Sequence, residues 1–195
     1  MENQAKELSN FVSARIHSIL KRDESYIRAS LARLRRGIGK KPGSLPDIWD
    51  FTLKDLPDIF LSATGVPTYG EWAAHMSITM FALHQQGKDP QVKPMFVASQ
   101  SLGNAVRALV SRRGESSEES IKRRFDAVVT SNTPEEVAHH LRGLIQMLRS
   151  EGIPLDYAQL AEDLFRFQLS ESRDGVKLRW GQDYSKIRKD DNNEH

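Results

Sequence analysis

Between Tyr69 and Gln86 the chain is apolar on nearly every side once wound as a helix, with Trp72, Met76, Met80 and Leu83 along one side and Ile78 and Phe81 on others. A helix without a polar face has to be surrounded, so this segment predicts a central helix with other elements packed around it. It does not read as a membrane span. Its most apolar part, Trp72 to Leu83, is shorter than the roughly 20 residues a span needs and is broken by His75, Ser77 and Thr79.

The surrounding elements read as helices too. Leu8, Phe11, Val12, Ile16 and Ile19 form one apolar stripe at helical spacing. Arg15 falls inside that stripe, where it either snorkels its guanidinium to the edge or is buried in an ion pair. A second helix starts near Asp23 or Ser25 and buries Ile27, Leu31, Leu34 and Ile38. Gly37 and Gly39 stop it, and Pro42 and Pro46 keep the next segment extended. Asp47 to Leu61 reads as short helical turns that pack Trp49, Phe51 and Phe60 on the core.

Beyond a polar connector at Gly87–Pro94, Leu102, Val106, Leu109 and Val110 stripe one helix, which ends at Gly114. Ile121, Phe125, Val128 and Val129 mark the next. Thr133-Pro134-Glu135-Glu136 is a capping box with proline at the first helical position. It opens a helix burying Val137, Leu141, Leu144, Ile145 and Leu148, and Asp156 caps another carrying Tyr157, Leu160, Leu164 and Phe165. After Gln168, Val176, Leu178 and Trp180 alternate with polar residues, which predicts a short strand or an extended arm. The expected fold is all-α: an N-terminal helical bundle over residues 1–88, a C-terminal bundle over 95–170, and an extended or partly disordered tail over 171–195.

Composition narrows the class. The 195 residues are 38% hydrophobic and 28% charged, which suits a soluble globular protein with a real core. The opening MENQAKELSNF lacks the layout of a signal peptide. With no cysteine there is no disulfide, thiolate metal site or cysteine nucleophile, and a reducing cytoplasm is compatible.

Lys and Arg number 28 against 26 Asp and Glu, so a local excess of one sign is segregated charge. Arg28 to Pro46 holds such an excess, with Arg28, Arg33, Arg35, Arg36, Lys40 and Lys41 and no acidic residue. Two readings stand: a solvated helix face running into a flexible loop, or a face that meets a polyanion with side chains and backbone N–H groups together. Arginines recur at Arg107, Arg112–Arg113, Arg123–Arg124, Arg142 and Arg149. Arg142 and Arg149, seven apart, share a stripe off the apolar face of the capping-box helix, with His139 close by. Helices that each offer one or two arginines build a composite groove whose planar forks grip phosphate oxygens. The alternative is a set of surface salt bridges to neighbouring glutamates.

No catalytic constellation can be assembled. Gly37 to Ser44 superficially suggests a phosphate loop, but Pro42 replaces the required second glycine and a helix precedes it. His139 and His140 point about 100° apart on a helix. Glu136 and His140 make only two metal ligands, without a supporting motif. His75 and His84 read as core or edge residues with satisfied hydrogen bonds.

The run Leu34-Arg35-Arg36-Gly37-Ile38-Gly39, then Pro42-Gly43 and Pro46-Asp47-Ile48-Trp49-Asp50-Phe51, resembles the CasB family, the small subunit of the type I-E CRISPR surveillance complex Cascade. Ser101-Leu102-Gly103 leading to Arg107, Arg123-Arg124-Phe125, His140-Leu141-Arg142-Gly143-Leu144, Gly152-Ile153-Pro154-Leu155-Asp156-Tyr157 and Arg179-Trp180 follow in the family's order. The resemblance covers roughly residues 10 to 185. It implies a non-enzymatic helical protein without metal or cofactor. In that family two copies lie head to tail against the backbone subunits and contact the large subunit. It further implies a cytoplasmic complex with crRNA and target DNA, in which a basic surface helps to hold the displaced non-target strand of the R-loop. The candidate nucleic-acid-binding residues are Arg33, Arg35, Arg36, Lys40, Lys41, Arg107, Arg123, Arg124, Arg142 and Arg149. The sequence departs from some relatives at Gly143, where they carry a second arginine, and around Glu71–His75, where some have a basic residue. A structural adaptor whose arginines bind acidic protein patches is the alternative function. An enzyme lacks a constellation, and a transcription regulator lacks helix-turn-helix spacing.

Overall fold

The computed structural model describes residues 2–186. Its helices are α1 (Glu2–Leu20), α2 (Glu24–Arg35), α3 (Trp49–Thr52), α4 (Tyr69–His84), α5 (Leu102–Arg113), α6 (Glu118–Val129), α7 (Pro134–Glu151), α8 (Tyr157–Gln168) and α9 (Ser170–Ser185). Short 3₁₀ turns cover Pro46–Ile48, Asp58–Phe60 and Glu115–Ser117. Among the described residues the sole extended pairing is an isolated parallel bridge between Phe96 and Leu155.

α4 is the enclosed helix its composition demands. Every residue from Gly70 to His84 is buried, and α1, α2, α7 and α8 pack around it. α8 lies against both α1 and α4, and one continuous set of buried apolar side chains runs from Ala5 to Trp180. Helices from both sides of the connector therefore share contacts.

Local chemistry sets the ends. The Asp23 carboxylate accepts the Tyr26 N–H at 2.9 Å and starts α2. Thr68 and Glu71 form a capping box on α4, and Thr133 and Glu136 form one on α7 with Pro134 at its first turn. Asp156 accepts the Ala158 and Gln159 N–H groups at 3.0 Å. Gly152 closes α7 at φ 65°, a left-handed conformation that glycine adopts without Cβ strain.

Three expectations are corrected. The predicted strand or extended arm around Val176–Trp180 is helix α9. Val176 and Trp180 are four apart, so the alternation also contains one buried helical pair, and the intervening Leu178 is exposed. The Trp180 indole N–H donates to the buried Asp163 carboxylate at 2.6 Å, and its ring stacks on Phe167. Trp49 is exposed rather than packed on the core; its indole N–H donates to the Gly43 carbonyl at 2.9 Å and pins the basic loop. The buried histidines are only half satisfied. His75 Nε2–H donates to the Gly37 carbonyl at 2.9 Å and His84 Nδ1 meets the Tyr157 hydroxyl at 2.9 Å, while the second nitrogen of each ring has no partner among the described residues. Arg15 snorkels, with its guanidinium over Phe11 and reaching the exposed Asp55 at 3.3 Å. The tail expected to be disordered, Asp190 to His195, lies outside the described residues.

Candidate nucleic-acid interface

α7 is the spine of the basic surface. Its buried stripe of Val137, Leu141, Leu144, Ile145 and Leu148 turns Arg142 outward and leaves Arg149 at the boundary. α6 packs on α7 through Ile121, Phe125 and Val128. Arg124, next to the buried Phe125, is thereby carried over Gly143 of α7. Arg123, Arg124, His139, His140, Arg142 and Gly143 line a cleft of about 560 Å³ between the two helices, and no carboxylate lines it. The rings of His139 and His140 lie edge to face at 5.1 Å. Arg123 also holds Glu119 of its own helix at 2.8 Å, so part of its charge is already matched.

Two turns further along α7, Arg149 donates to Gln86 Oε1 at 3.0 Å, beside a second cleft of about 550 Å³. This cleft lies between α2 and the start of the connector. Arg22, Arg28, Arg35 and Lys88 edge it together with the carboxylates of Glu24 and Asp89, over a floor of Ile27 and Leu31. Arg28 is paired with Glu24 at 3.3 Å, an exposed pair of small energetic weight. Arg35, Lys88 and Arg149 differ, since none of them has a carboxylate within ion-pair distance among the described residues. Burial lowers the Arg35 pKa, and the Arg149 charge lowers it further. Burial, then Lys93 and Arg149, act the same way on Lys88. Cations outnumber carboxylates here and these three are not directly paired, so they repel one another and an anion placed among them relieves that repulsion.

The remaining candidates lie elsewhere. Arg33 is half-buried with its guanidinium over the Phe51 ring at 5.6 Å. Arg36 pairs with Asp47 at 2.5 Å, the salt-bridge alternative realised. Lys40 and Lys41 are exposed on the loop after α2. That loop is tied to α4 through the Gly37–His75 hydrogen bond, and Gly37 packs closely there, since a Cβ would stand 2.6 Å from Ile48 Cδ1 and force that side chain to shift. Arg107 sits on α5 near Tyr184, whose pKa is pushed up to about 12 by burial and then by its hydrogen bond to Glu118. It lines neither cleft. Sequence reasoning passed over Arg22 and Lys88. Arg28 and Arg35, seven apart, share one face of α2, but Arg22 precedes the helix and no local pattern marks it or Lys88.

Glu136 is committed to its cap, accepting the Asn132 N–H at 2.8 Å. Among the described residues no group of three or more His, Cys, Asp or Glu side chains is placed to hold a metal ion. No described helix is long and apolar enough to cross a membrane.

These observations define an all-helical protein with uncompensated cations from α2, α6, α7 and the connector on its surface. The profile of the CRISPR-associated protein Cse2 family matches residues 30–184, and the chain belongs to that family. The crystal structure of CasB from Thermobifida fusca is similar at 30% identity and a TM-score of 0.73, covering 91% of this chain and 97% of that one. A chain of a CRISPR RNA-guided surveillance complex shares the fold at 21% identity and a TM-score of 0.69, over 91% of this chain and 92% of that one. CasB from M. ruber shares it at 20% identity and a TM-score of 0.65, over 89% and 91%. No curated protein sequence matches the chain.

The family's motif residues acquire structural roles here. Ser101 caps α5 and donates to Asp183 at 2.7 Å. Gly103 permits contact between α5 and α9, because a Cβ on it would stand 2.3 Å from the Trp180 carbonyl oxygen. Arg179 and Trp180 both grip Asp163.

Proposed function

We propose that this chain is a non-catalytic small subunit of the type I-E CRISPR effector complex Cascade, and that its Arg/Lys surface holds nucleic acid without reading sequence. The strand held is above all the displaced non-target strand of the R-loop, whose retention stabilises the target-bound complex. The partners are the backbone and large subunits, a second copy of the chain, crRNA and target DNA, all in the cytoplasm. Family membership and the likeness to a chain of a CRISPR RNA-guided surveillance complex support the assembly.

The observation that carries the nucleic-acid reading is the meeting of cations from distant parts of the chain. Arg35 of α2 comes to Arg149 of α7, and Arg124 of α6 comes to the cleft that Arg142 of α7 also lines, and among the described residues none of the four has a carboxylate within ion-pair distance. Arg142 and Arg149 are seven residues apart, about 10 Å of rise along one helix, so α7 links the two clefts. Guanidinium forks without internal partners suit phosphate oxygens, and a backbone grip is tolerant of sequence.

The test is a salt titration of oligonucleotide binding to the complex. Affinity for unrelated single strands is expected to be similar and to fall with salt, with a log–log slope of about 0.7 per phosphate contact. Salt-independent binding, or sharp discrimination between strand sequences, overturns the reading. A complex that forms only with the arginines intact, before any DNA is added, favours the adaptor alternative.

A further inference from the structure

The segment between the 3₁₀ turn at Asp58–Phe60 and α4 is a small loop with pinned ends. The Glu71 carboxylate accepts the Ser62 N–H at 3.2 Å and the Thr68 N–H at 2.7 Å. The Thr68 hydroxyl accepts the Glu71 N–H at 3.1 Å and donates to the Phe60 carbonyl. Phe60 is wedged under Gly70, where a Cβ would stand 2.4 Å from its ring, and it meets Phe165 edge to face. One buried carboxylate and one buried ring thus fix both ends of the loop to α4 and α8.

What this rigid base displays is apolar. Of the eight large hydrophobic side chains exposed among the described residues, Ile59, Leu61, Val66 and Tyr69 gather here, with Val66 69% and Ile59 59% exposed. Single exposed apolar residues are ordinary, but a cluster on a preformed loop marks an interaction surface. Its charge has the opposite sign to that of the clefts. Residues 55–74 contain Asp55, Asp58 and Glu71 and no Lys or Arg. Asp55 is engaged by Arg15, whereas Asp58 has no cation partner among the described residues. A surface with one free carboxylate and no Lys or Arg of its own offers a phosphate backbone no counter-charge.

We infer that the Ile59–Tyr69 loop is a preformed docking knob for another protein subunit, one presenting an apolar socket edged with Lys or Arg. This rests on the reading of the chain as part of a multi-subunit complex. Pinning of both ends by Glu71 lowers the ordering entropy that a free loop loses on binding. A second copy of the chain is a poor match. The α6/α7 cleft offers no side chain more apolar than Ala127, and the floor of the α2 cleft is nearly closed, with Ile27 and Leu31 only 6% and 5% exposed. The groove at Phe11, Ala14 and Pro57 carries Glu7 and Asp55, and its Arg15 is already paired with Asp55, so it repels the Asp58 carboxylate.

The experiment combines the full-length chain with the other Cascade subunits and guide RNA. A chain carrying Ile59→Ser, Leu61→Ser and Val66→Ser is expected to enter the complex at least about tenfold more weakly, a factor equivalent to about 1.4 kcal/mol. Its thermal midpoint and oligonucleotide binding in isolation stay as in the unaltered chain. Asp58→Lys, which disturbs no core residue, is expected to weaken entry in the same direction. A benzophenone side chain at position 66 is expected to crosslink to a different protein subunit. Unimpaired entry of the triple variant overturns the inference, as does a crosslink from position 66 to nucleic acid or to a second copy. If the unaltered chain also stays outside the complex, the function proposed above fails and the docking inference fails with it. If the unaltered chain enters and the variant enters equally well, the docking inference alone fails.

Discussion

The Arg124 guanidinium of α6 lies over Gly143 of α7, with Nη1 3.7 Å from the point where a Cβ on that glycine would stand. That is ordinary van der Waals contact, so the glycine is not there to make room. A glycine inside a helix destabilises it by about 1 kcal/mol relative to alanine. Gly143→Ala is therefore expected to raise the thermal midpoint by that equivalent. A loss of stability would mean that Arg124 presses closer to α7 than the distance implies.

Gly103 predicts the opposite sign. A Cβ there would stand 2.3 Å from the Trp180 carbonyl oxygen, 2.8 Å from Asp183 Cβ and 3.0 Å from the Tyr184 backbone nitrogen. Two of these atoms are backbone and cannot rotate away. Gly103→Ala forces α5 from α9 and is expected to cost about 1–3 kcal/mol, the usual range for overpacking. Urea unfolding of the two alanine variants side by side checks both signs.

Asp163 is the polar anchor of α9. Burial pushes its carboxyl pKa up, opposed by Arg179 at 2.5 Å and the Trp180 N–H at 2.6 Å. Removing it leaves the fully buried Trp180 indole N–H unpaired, so Asp163→Ala is expected to destabilise by about 1–3 kcal/mol. Asp163→Asn, which keeps an acceptor, costs less. Hydrogen exchange localised to α9 distinguishes this loss from a general weakening of the core.

Acid lowers stability through His84. Burial, with Lys88 and Arg149 adding to it, lowers the His84 pKa from the ordinary 6.5 to about 3. The unfolded chain takes up this proton first, so the stability contribution is complete above pH 6.5 and is lost as pH falls towards 3. The slope approaches about 1.4 kcal/mol per pH unit within that window. His75, lowered by burial too, acts in the same direction. Denaturant midpoints are expected to fall from pH 7 to pH 4, and less steeply in His84→Gln. A midpoint that rises over that range contradicts the burial of neutral imidazoles.

The fold was legible wherever one local signal decided an element. Asp23, Thr133 with Glu136, and Asp156 announce their helix starts by chemistry complete within four residues, and α4 announces its burial by having no polar face. α9 was not legible because its identity is tertiary. Its buried residues are few, and the partners that hold them, Asp163, Phe167 and Gly103, lie on α5 and α8. Trp49 misled for a related reason: its indole is used as a donor to Gly43, which aromatic content alone does not reveal. For the basic surface, the sequence supplied the arginines but not their company. Arg36 and Arg123 found carboxylates, Arg33 found Phe51, and Arg35 and Arg149 found each other. Which of these happens depends on helices packed from opposite ends of the chain.

The central claim is that the uncompensated arginines hold the displaced strand and do not build the complex. The most direct measurement is the R-loop lifetime of reconstituted complex carrying Arg35→Ala, Arg124→Ala, Arg142→Ala and Arg149→Ala together. The complex is expected to assemble with the usual composition, the R-loop to dissociate faster, and the salt slope of strand retention to fall by about 0.7 for each phosphate contact removed. An R-loop lifetime equal to that of the unaltered complex would contradict it.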